Sequence, residues 1–241
     1  MPNNTTIKSI DLNKEQFISQ VLNDYRIICM SREASLLGRK EVLTGKAKFG
    51  IFGDGKELAQ LVMSKFFNKG DFRSGYYRDQ TFMMAIGELT VQEFFAGLYA
   101  HTDLEKEPNS AGRQMGGHFS TKSVDKDGNW LNLSDKKNTS SDISCTGAQM
   151  PRLVGLGLAS KIYRQNKELK DFNNFSNNGN EVAFGTIGDA STSEGVFWES
   201  MNAACVLEIP LVMSVWDDGY GISVEKKYQT TKESISTALS G

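Results

Sequence analysis

Residues 181–223 read EVAFGTIGDASTSEGVFWESMNAACVLEIPLVMSVWDDGYGIS. Two short apolar runs, 181–187 and 209–215, flank a segment of helical length from 193 to 207, which predicts a β-α-β unit with a parallel strand pair. Its crossover is expected to be right-handed. Each strand ends in an acid-bearing turn, Gly188-Asp189-Ala190-Ser191 after the first and Trp216-Asp217-Asp218-Gly219-Tyr220 after the second. In an open parallel sheet, ligands sit beyond the carboxyl ends of the strands. If the two strands are neighbours, Asp189 and Asp218 stand side by side on one rim. Two carboxylates with a backbone carbonyl suit a hard cation such as Mg2+, which takes oxygen ligands and is commonly shared with phosphates. The N–H groups that open the helix near Ser193 favour a phosphate at the same rim. A plainer reading stays open, in which Asp189 and Ser191 form a turn and a helix cap and Asp217-Asp218-Gly219 is a second turn.

Outward from this unit, the fold class is α/β: a parallel sheet with helices on both faces and a helical arm in front. Residues 14–37 carry Phe17, Ile18, Val21, Leu22, Tyr25 and Ile28 at three- and four-residue spacing, which predicts an amphipathic helix packing that face inward. The arm is assigned to residues 1–45 and an α/β domain to residues 46–241. Leu58, Leu61, Val62 and Phe66 predict a second helix that stops near Gly70, and a third, rich in small residues, runs from Gln149 to near Lys167. Between 104 and 141 the chain is polar and aperiodic, and it contains Gly112-Arg113-Gln114-Met115-Gly116-Gly117-His118. Long ordered loops of this kind are usually functional. Five Asn between 171 and 180 mark a solvated loop.

Composition narrows the function classes. The 241 residues hold 27 Lys+Arg against 29 Asp+Glu, a net charge of −2, which argues against nucleic acid as a partner. Three cysteines with no CxxC pair fit a reducing compartment better than a disulfide framework. No apolar run approaches the roughly 20 residues of a spanning helix, so no membrane association is expected. Lys8, Asp11, Lys14 and Glu15 interrupt the apolar core that a leader peptide would need, and a cytoplasmic location is expected.

Gly188-Asp189, a helix, and a strand ending Asp217-Asp218-Gly219-Tyr220-Gly221-Ile222-Ser223 together resemble the thiamine diphosphate fingerprint, which runs from Gly-Asp-Gly to Asn-Asn. More narrowly, the chain resembles the α part of the thiamine-dependent, decarboxylating component of 2-oxo acid dehydrogenase complexes. Asp24-Tyr25-Arg26, Gly55-Lys56-Glu57-Leu58-Ala59, Tyr77-Arg78-Asp79, residues 112–118, Gly147-Ala148-Gln149-Met150-Pro151 and Ser193-Glu194-Gly195 follow that family's order and approximate spacing. Gly53-Asp54-Gly55 also spells Gly-Asp-Gly, but no second acidic strand end follows it, and it is assigned to the turn before a helix.

The resemblance implies thiamine diphosphate and Mg2+ as cofactors. Asp189 and Asp218 would bind the ion through side chains and Tyr220 through its backbone carbonyl, with Ala190 and Ser191 presenting backbone to the diphosphate. Tyr77 and Arg78 would contact the diphosphate from the opposite side, and Ser144 and Thr146 would meet the aminopyrimidine end. Gln114 and His118 would lie on a loop near the active site. The implied reaction is oxidative decarboxylation of a 2-oxo acid, with the acyl group passed to a lipoyl-bearing acyltransferase. A β part, fused or separate, would complete the enzyme as a homodimer or an α2β2 assembly. The Gly112–Met115 stretch leans toward branched-chain rather than pyruvate substrates. Because the family continues past its fingerprint, the chain reads as an N-terminal fragment that is inactive in isolation. Transketolase-like aldehyde transfer and a non-catalytic binding module are the alternatives. Two residues depart from the fingerprint: Ala190 replaces its second glycine and Asp218 its second asparagine. The acid pair 217–218 is expected to tighten the cation and to make diphosphate binding more strictly Mg2+-dependent.

Overall fold

A computed structural model describes residues 13–231 and 233–240. Lys8 and Asp11, which bear on a leader peptide, lie outside the described residues, as does Gly241. The expected β-α-β unit is present. Strand β3 (Ala183–Gly188), helix α6 (Gly195–Leu207) and strand β4 (Leu211–Trp216) follow one another, and β3 pairs with β4 in parallel from Ala183↔Leu211 to Gly188↔Trp216. Two shorter strands, β1 (Phe72–Ser74) and β2 (Asn138–Thr139), complete a parallel sheet of order β2-β1-β3-β4.

Alternation along β3 and β4 divides the core between the two faces. Phe184 and Trp216 face helices α1 (Lys14–Leu43), α2 (Glu57–Ser64), α3 (Gln80–Ile86) and α4 (Val91–Leu98), in a cluster with Phe52, Phe67, Phe82 and Met83. Ala183 and Ile187 face α5 (Gln149–Gln165) and α6, with Met150, Leu153 and Phe197. Gly185 is needed for that second contact, because a Cβ there would sit 2.2 Å from Leu153 Cδ2. With apolar side chains packed on both faces, the sheet reads as continuous hydrophobic strands rather than alternating ones, and its carboxyl edge is left to loops.

The arm corrects one expectation. Helix α1 forms, with a capping box in which Asn13 and Gln16 satisfy each other's backbone N–H groups. Its apolar stripe does not pack inward: Phe17, Leu22 and Tyr25 are 58%, 62% and 66% exposed, and Ile18 and Val21 are exposed as well. The buried residues are Ser31, Ala34, Ser35 and Gly38, in the second half of the helix. There the helix approaches its neighbours so closely that only small residues fit; a Cβ on Gly38 would lie 2.4 Å from the Phe52 ring. Ser31 and Ser35 are satisfied by Gln80 and Thr81 of α3, so these polar contacts, with Ala34, Ile27 and Val42 at the core, seat the arm rather than the stripe from Phe17 to Tyr25. At ~1.5 Å per residue, its 30 residues span ~45 Å. No described helix is long and apolar enough to cross a membrane.

Candidate cofactor site

Beyond the paired ends Gly188 and Trp216, the chain turns twice over the sheet edge. Asp189 opens a single helical turn, Ala190–Ser193, in which Thr192 donates its hydroxyl to the Asp189 carbonyl at 2.6 Å. Asp217 and Asp218 precede a small hairpin, β5 (Tyr220–Gly221) and β6 (Val224–Glu225). The first acid receives the Gly219 N–H at 3.0 Å and the second that of Tyr220 at 3.3 Å. Sheet geometry therefore brings Asp189 and Asp218 to one rim.

These turns, with the loop after β1, enclose a cavity of about 390 Å3. Tyr77, Arg78, Thr146, Asp189, Ala190, Ser191, Asp218 and Tyr220, all expected from the sequence, line it. Ser144 does not. Its hydroxyl donates to His118 Nε2 at 2.9 Å, and His118 Nδ1 meets the Met115 carbonyl at 3.0 Å, an arrangement that fixes the ring's tautomer. Neither His118 nor Gln114 lines the cavity.

Arg78 lines the same cavity as the acids. One of its Nη atoms donates to the Phe52 carbonyl at 2.7 Å, and its guanidinium lies 5.6 Å from the centroid of the Tyr77 ring. That anchoring leaves the remaining donors of a planar fork suited to phosphate oxygens. The carbonyl of Arg78 accepts from Gln60 Nε2 at 2.8 Å, and Gly53 leaves room for it: a Cβ on Gly53 would sit 2.3 Å from that oxygen. The turn Gly53-Asp54-Gly55 thus supports the wall that carries Arg78.

The electrostatics of the two acids differ. Asp189 is 2% exposed, and its Oδ2 is buried with no hydrogen-bond partner. Burial, then the neighbouring carboxylates Asp218 and Asp217, push its pKa above the usual Asp range. For Asp218 partial burial acts upward too, but the Lys56 ammonium, 2.9 Å away, wins and holds its pKa below that range. Asp217 is paired with Lys226 at 2.5 Å. Tyr76, which the sequence reading passed over, also lines the cavity, with a buried hydroxyl that has no partner. Ala190 fits because Gly221 lies against it; a Cβ at 221 would be 2.6 Å from the Ala190 Cβ.

Adjoining the cavity is a buried network of which only Asp79 falls within a motif noted in the sequence. Arg73 of β1, fully buried, donates to Asp79 at 2.7 Å and to both oxygens of Asp142 at 3.0 Å. Thr139 and the Tyr76 carbonyl take its remaining donors. Asp79 also accepts from Trp216 Nε1 at 2.9 Å and from the Thr186 hydroxyl. One guanidinium therefore ties the segment before Tyr77, the segment before Ser144 and the end of β4 into a single frame.

The glycine-rich loop has an acidic organiser of its own. Glu107, 2% exposed, accepts from the N–H groups of Asn109, Ser110 and Gly112 and from the Ser110 hydroxyl, all within 3.0 Å. Burial opposes its ionisation, but these donors prevail and hold its pKa below the ordinary Glu range. Its stabilisation is therefore present above that range and lost as pH falls through the depressed value. Glu107→Gln is expected to cost about 1.5–3 kcal/mol and to open residues 107–117 to proteolysis. Unchanged cleavage of that segment would show that Glu107 does not order the loop.

Among the described residues no three His, Cys, Asp or Glu side chains cluster as a closed metal site. The three cysteines are free thiols, and Cys145 and Cys205 are exposed.

Residues 26–241 match the dehydrogenase E1 component family. Curated relatives include the 2-oxoisovalerate dehydrogenase subunit alpha of Bacillus subtilis, 29% identical over 227 residues that cover 92% of this chain and 58% of that protein. The mitochondrial pyruvate dehydrogenase E1 component subunit alpha of Dictyostelium discoideum is 25% identical, with 93% of this chain and 50% of that one covered. The alpha subunit of acetoin:2,6-dichlorophenolindophenol oxidoreductase from Cupriavidus necator is 30% identical over 95 residues, 39% of this chain and 24% of that one. The chain spans about half the length of the curated relatives that it matches along most of its own. With the family match running through the sheet and both acid-bearing turns, the chain belongs to the dehydrogenase E1 component family, among whose α subunits its relatives lie.

Proposed function

We propose that this chain holds the magnesium-diphosphate end of thiamine diphosphate for a 2-oxo acid dehydrogenase. The observation that carries the reading is the buried, unpartnered Oδ2 of Asp189, on the same rim as Asp218 and in the lining of a cavity that Arg78 also lines. A buried carboxylate oxygen without a partner is costly, and a cation relieves that cost. The donor set fits Mg2+, which binds through one or two carboxylates and takes its other oxygens from phosphate and water. Asp189, Asp218 and the Tyr220 carbonyl would hold the ion. Ala190 and Ser191 would offer backbone to the diphosphate, and Tyr77 and Arg78 would grip it from the far wall. Thr146 would border the aminopyrimidine, with Ser144, held by His118, fixing that loop's position.

When bound, thiamine diphosphate supplies a carbon nucleophile and an electron sink for releasing the carboxylate of a 2-oxo acid. The chain's own part is orientation and charge. Asp189 and Asp218 place the ion, Arg78 neutralises the far oxygens, and the Arg73 frame keeps the two walls in register. In this reading residues 1–45 are an arm on a binding domain that begins near 46. A β part completes the site in a homodimer or an α2β2 assembly, a lipoyl-bearing acyltransferase takes the acyl group, and the protein works in the cytoplasm.

The test is a titration of the chain with thiamine diphosphate, with and without Mg2+, followed by the fluorescence of Trp216, which lines the cavity. Saturable quenching that requires Mg2+ is expected, with thiamine itself giving none. Binding that is indifferent to Mg2+, or equally strong for thiamine, would overturn the assignment of the acids to a diphosphate-bound ion.

A further inference from the structure

We infer that Lys56 is a resident counter-cation of this site, which admits a divalent ion together with its diphosphate in preference to the bare ion. The inference rests on the reading just given. Lys56 immediately precedes α2, and Asp218 lies 162 positions further along the chain. Its Nζ donates to Asp218 Oδ2 at 2.9 Å. The lysine side chain is only 11% exposed and the aspartate 45%, so the ammonium is the enclosed partner. Its backbone is fixed as well, since the Lys56 N–H donates to the Gly53 carbonyl at 3.2 Å and its carbonyl accepts the Gln60 N–H at 3.1 Å. Gly53 is in turn held by Gln80 Oε1 at 3.1 Å. The ammonium is presented from a rigid turn rather than from a mobile surface chain.

The three acids at the rim are served unequally. Asp217 has Lys226, Asp218 has Lys56, and Asp189 has no cationic partner among the described residues. An ion entering between Asp189 and Asp218 needs a carboxylate oxygen of each at ~2.1 Å. Both oxygens of Asp218 are engaged, Oδ2 by Lys56 and Oδ1 by the Tyr220 N–H. A bare divalent ion that binds Asp218 must therefore stand beside the ammonium or displace it, in either case against like-charge repulsion. An ion that arrives with a diphosphate brings new acceptor oxygens within reach of the displaced lysine. Lys56 thus penalises the bare ion and spares the pair, which makes the two ligands bind cooperatively.

The experiment measures bound Mn2+ by electron paramagnetic resonance, with and without thiamine diphosphate. The proteins compared are the wild-type chain, Lys56→Met, Lys56→Arg, Asp189→Asn, Asp218→Asn and the double variant Lys56→Met/Asp218→Asn. Lys56→Met is expected to bind Mn2+ alone about two- to fivefold more tightly, the range of a partly exposed ion pair. The coupling between Mn2+ and thiamine diphosphate should fall by the same factor. Lys56→Arg should behave as wild type, and Lys56→Met should change nothing once Asp218 is Asn. If Lys56→Met leaves Mn2+ affinity unchanged while Asp189→Asn abolishes it, the role of Lys56 falls and the cofactor reading stands. If Lys56→Met weakens thiamine diphosphate in the absence of metal, Lys56 is a direct phosphate ligand and the proposal is overturned. If the wild-type chain shows no Asp189-dependent Mn2+ binding under either condition, the cofactor reading and this inference fall together.

Discussion

Arg73→Met is expected to lower the stability of the chain by about 3–5 kcal/mol, the usual cost of removing one partner from a buried ion pair. For a domain of this size that corresponds to a fall in melting temperature of roughly 6–20 °C. Arg73 is fully buried between Asp79 and Asp142, so its loss strands two carboxylates where water cannot reach them. Burial already pushes the Asp142 pKa above the usual Asp range, with Arg73 acting against it. Without the guanidinium the folded-state pKa rises further. A group whose folded pKa lies above its unfolded one binds more protons when folded, so stability falls as pH rises through that window. The deficit of Arg73→Met should therefore shrink on acidification and be largest at neutral pH. A variant that melts within a degree or two of wild type at pH 7 would show that the frame is not held by this cation. Because Asp79 also receives the Trp216 N–H, the damage should reach the cavity and weaken ligand binding as well as the fold.

The parts of this structure legible in the sequence are those built from local pattern. The unit β3-α6-β4 declares itself because both strands are six-residue apolar runs and each ends in an acid. Strands β1 and β2 give no such signal: they are three and two residues long, and their key side chains, Arg73 and Asn138, are polar. A fully buried arginine is allowed only because it is paired, and the sequence does not show the pairing: Asp79 lies 6 positions on without a periodic pattern to link the two, and Asp142 lies 69 positions away. The arm misleads for the opposite reason. Its helical periodicity is real, but periodicity says only that a face is apolar and nothing of what covers it, whereas contact is made where Ser31, Ala34, Ser35 and Gly38 allow close approach. At the site, Asp189 and Asp218 follow from strand ends, while Tyr77, Arg78 and Thr146 follow only from family resemblance. Tyr76, Lys56 and Glu107 emerge only from three-dimensional contacts, because each acts through an atom distant in sequence or through a backbone that no motif encodes.

Asp189→Asn should give the largest functional effect, and its two readouts should move in opposite directions. As one of two carboxylates proposed to hold the ion, its loss should weaken Mg2+-dependent thiamine diphosphate binding by at least about 100-fold, since even groups that merely support metal ligands cost 10- to 100-fold. The ligand-free chain should become more stable by roughly 1 kcal/mol at neutral pH, because a buried unpartnered charge is replaced by a neutral amide of the same shape. The pH dependence follows from the raised pKa of Asp189, caused by burial and then by Asp218 and Asp217. A folded-state pKa above the unfolded one means that this carboxyl destabilises the ligand-free chain progressively as pH rises through the raised value, a slope that Asp189→Asn removes. A divalent ion displaces the same proton, so wild-type affinity for the ion should climb across that window and level off above it. Parallel titrations and melting curves between pH 4 and 8 measure both effects. A structural acid would lose stability on substitution at neutral pH, a loss that fades only as pH falls through its folded pKa, so stability gained together with binding lost is the pattern that separates a ligand site from a buried structural carboxylate.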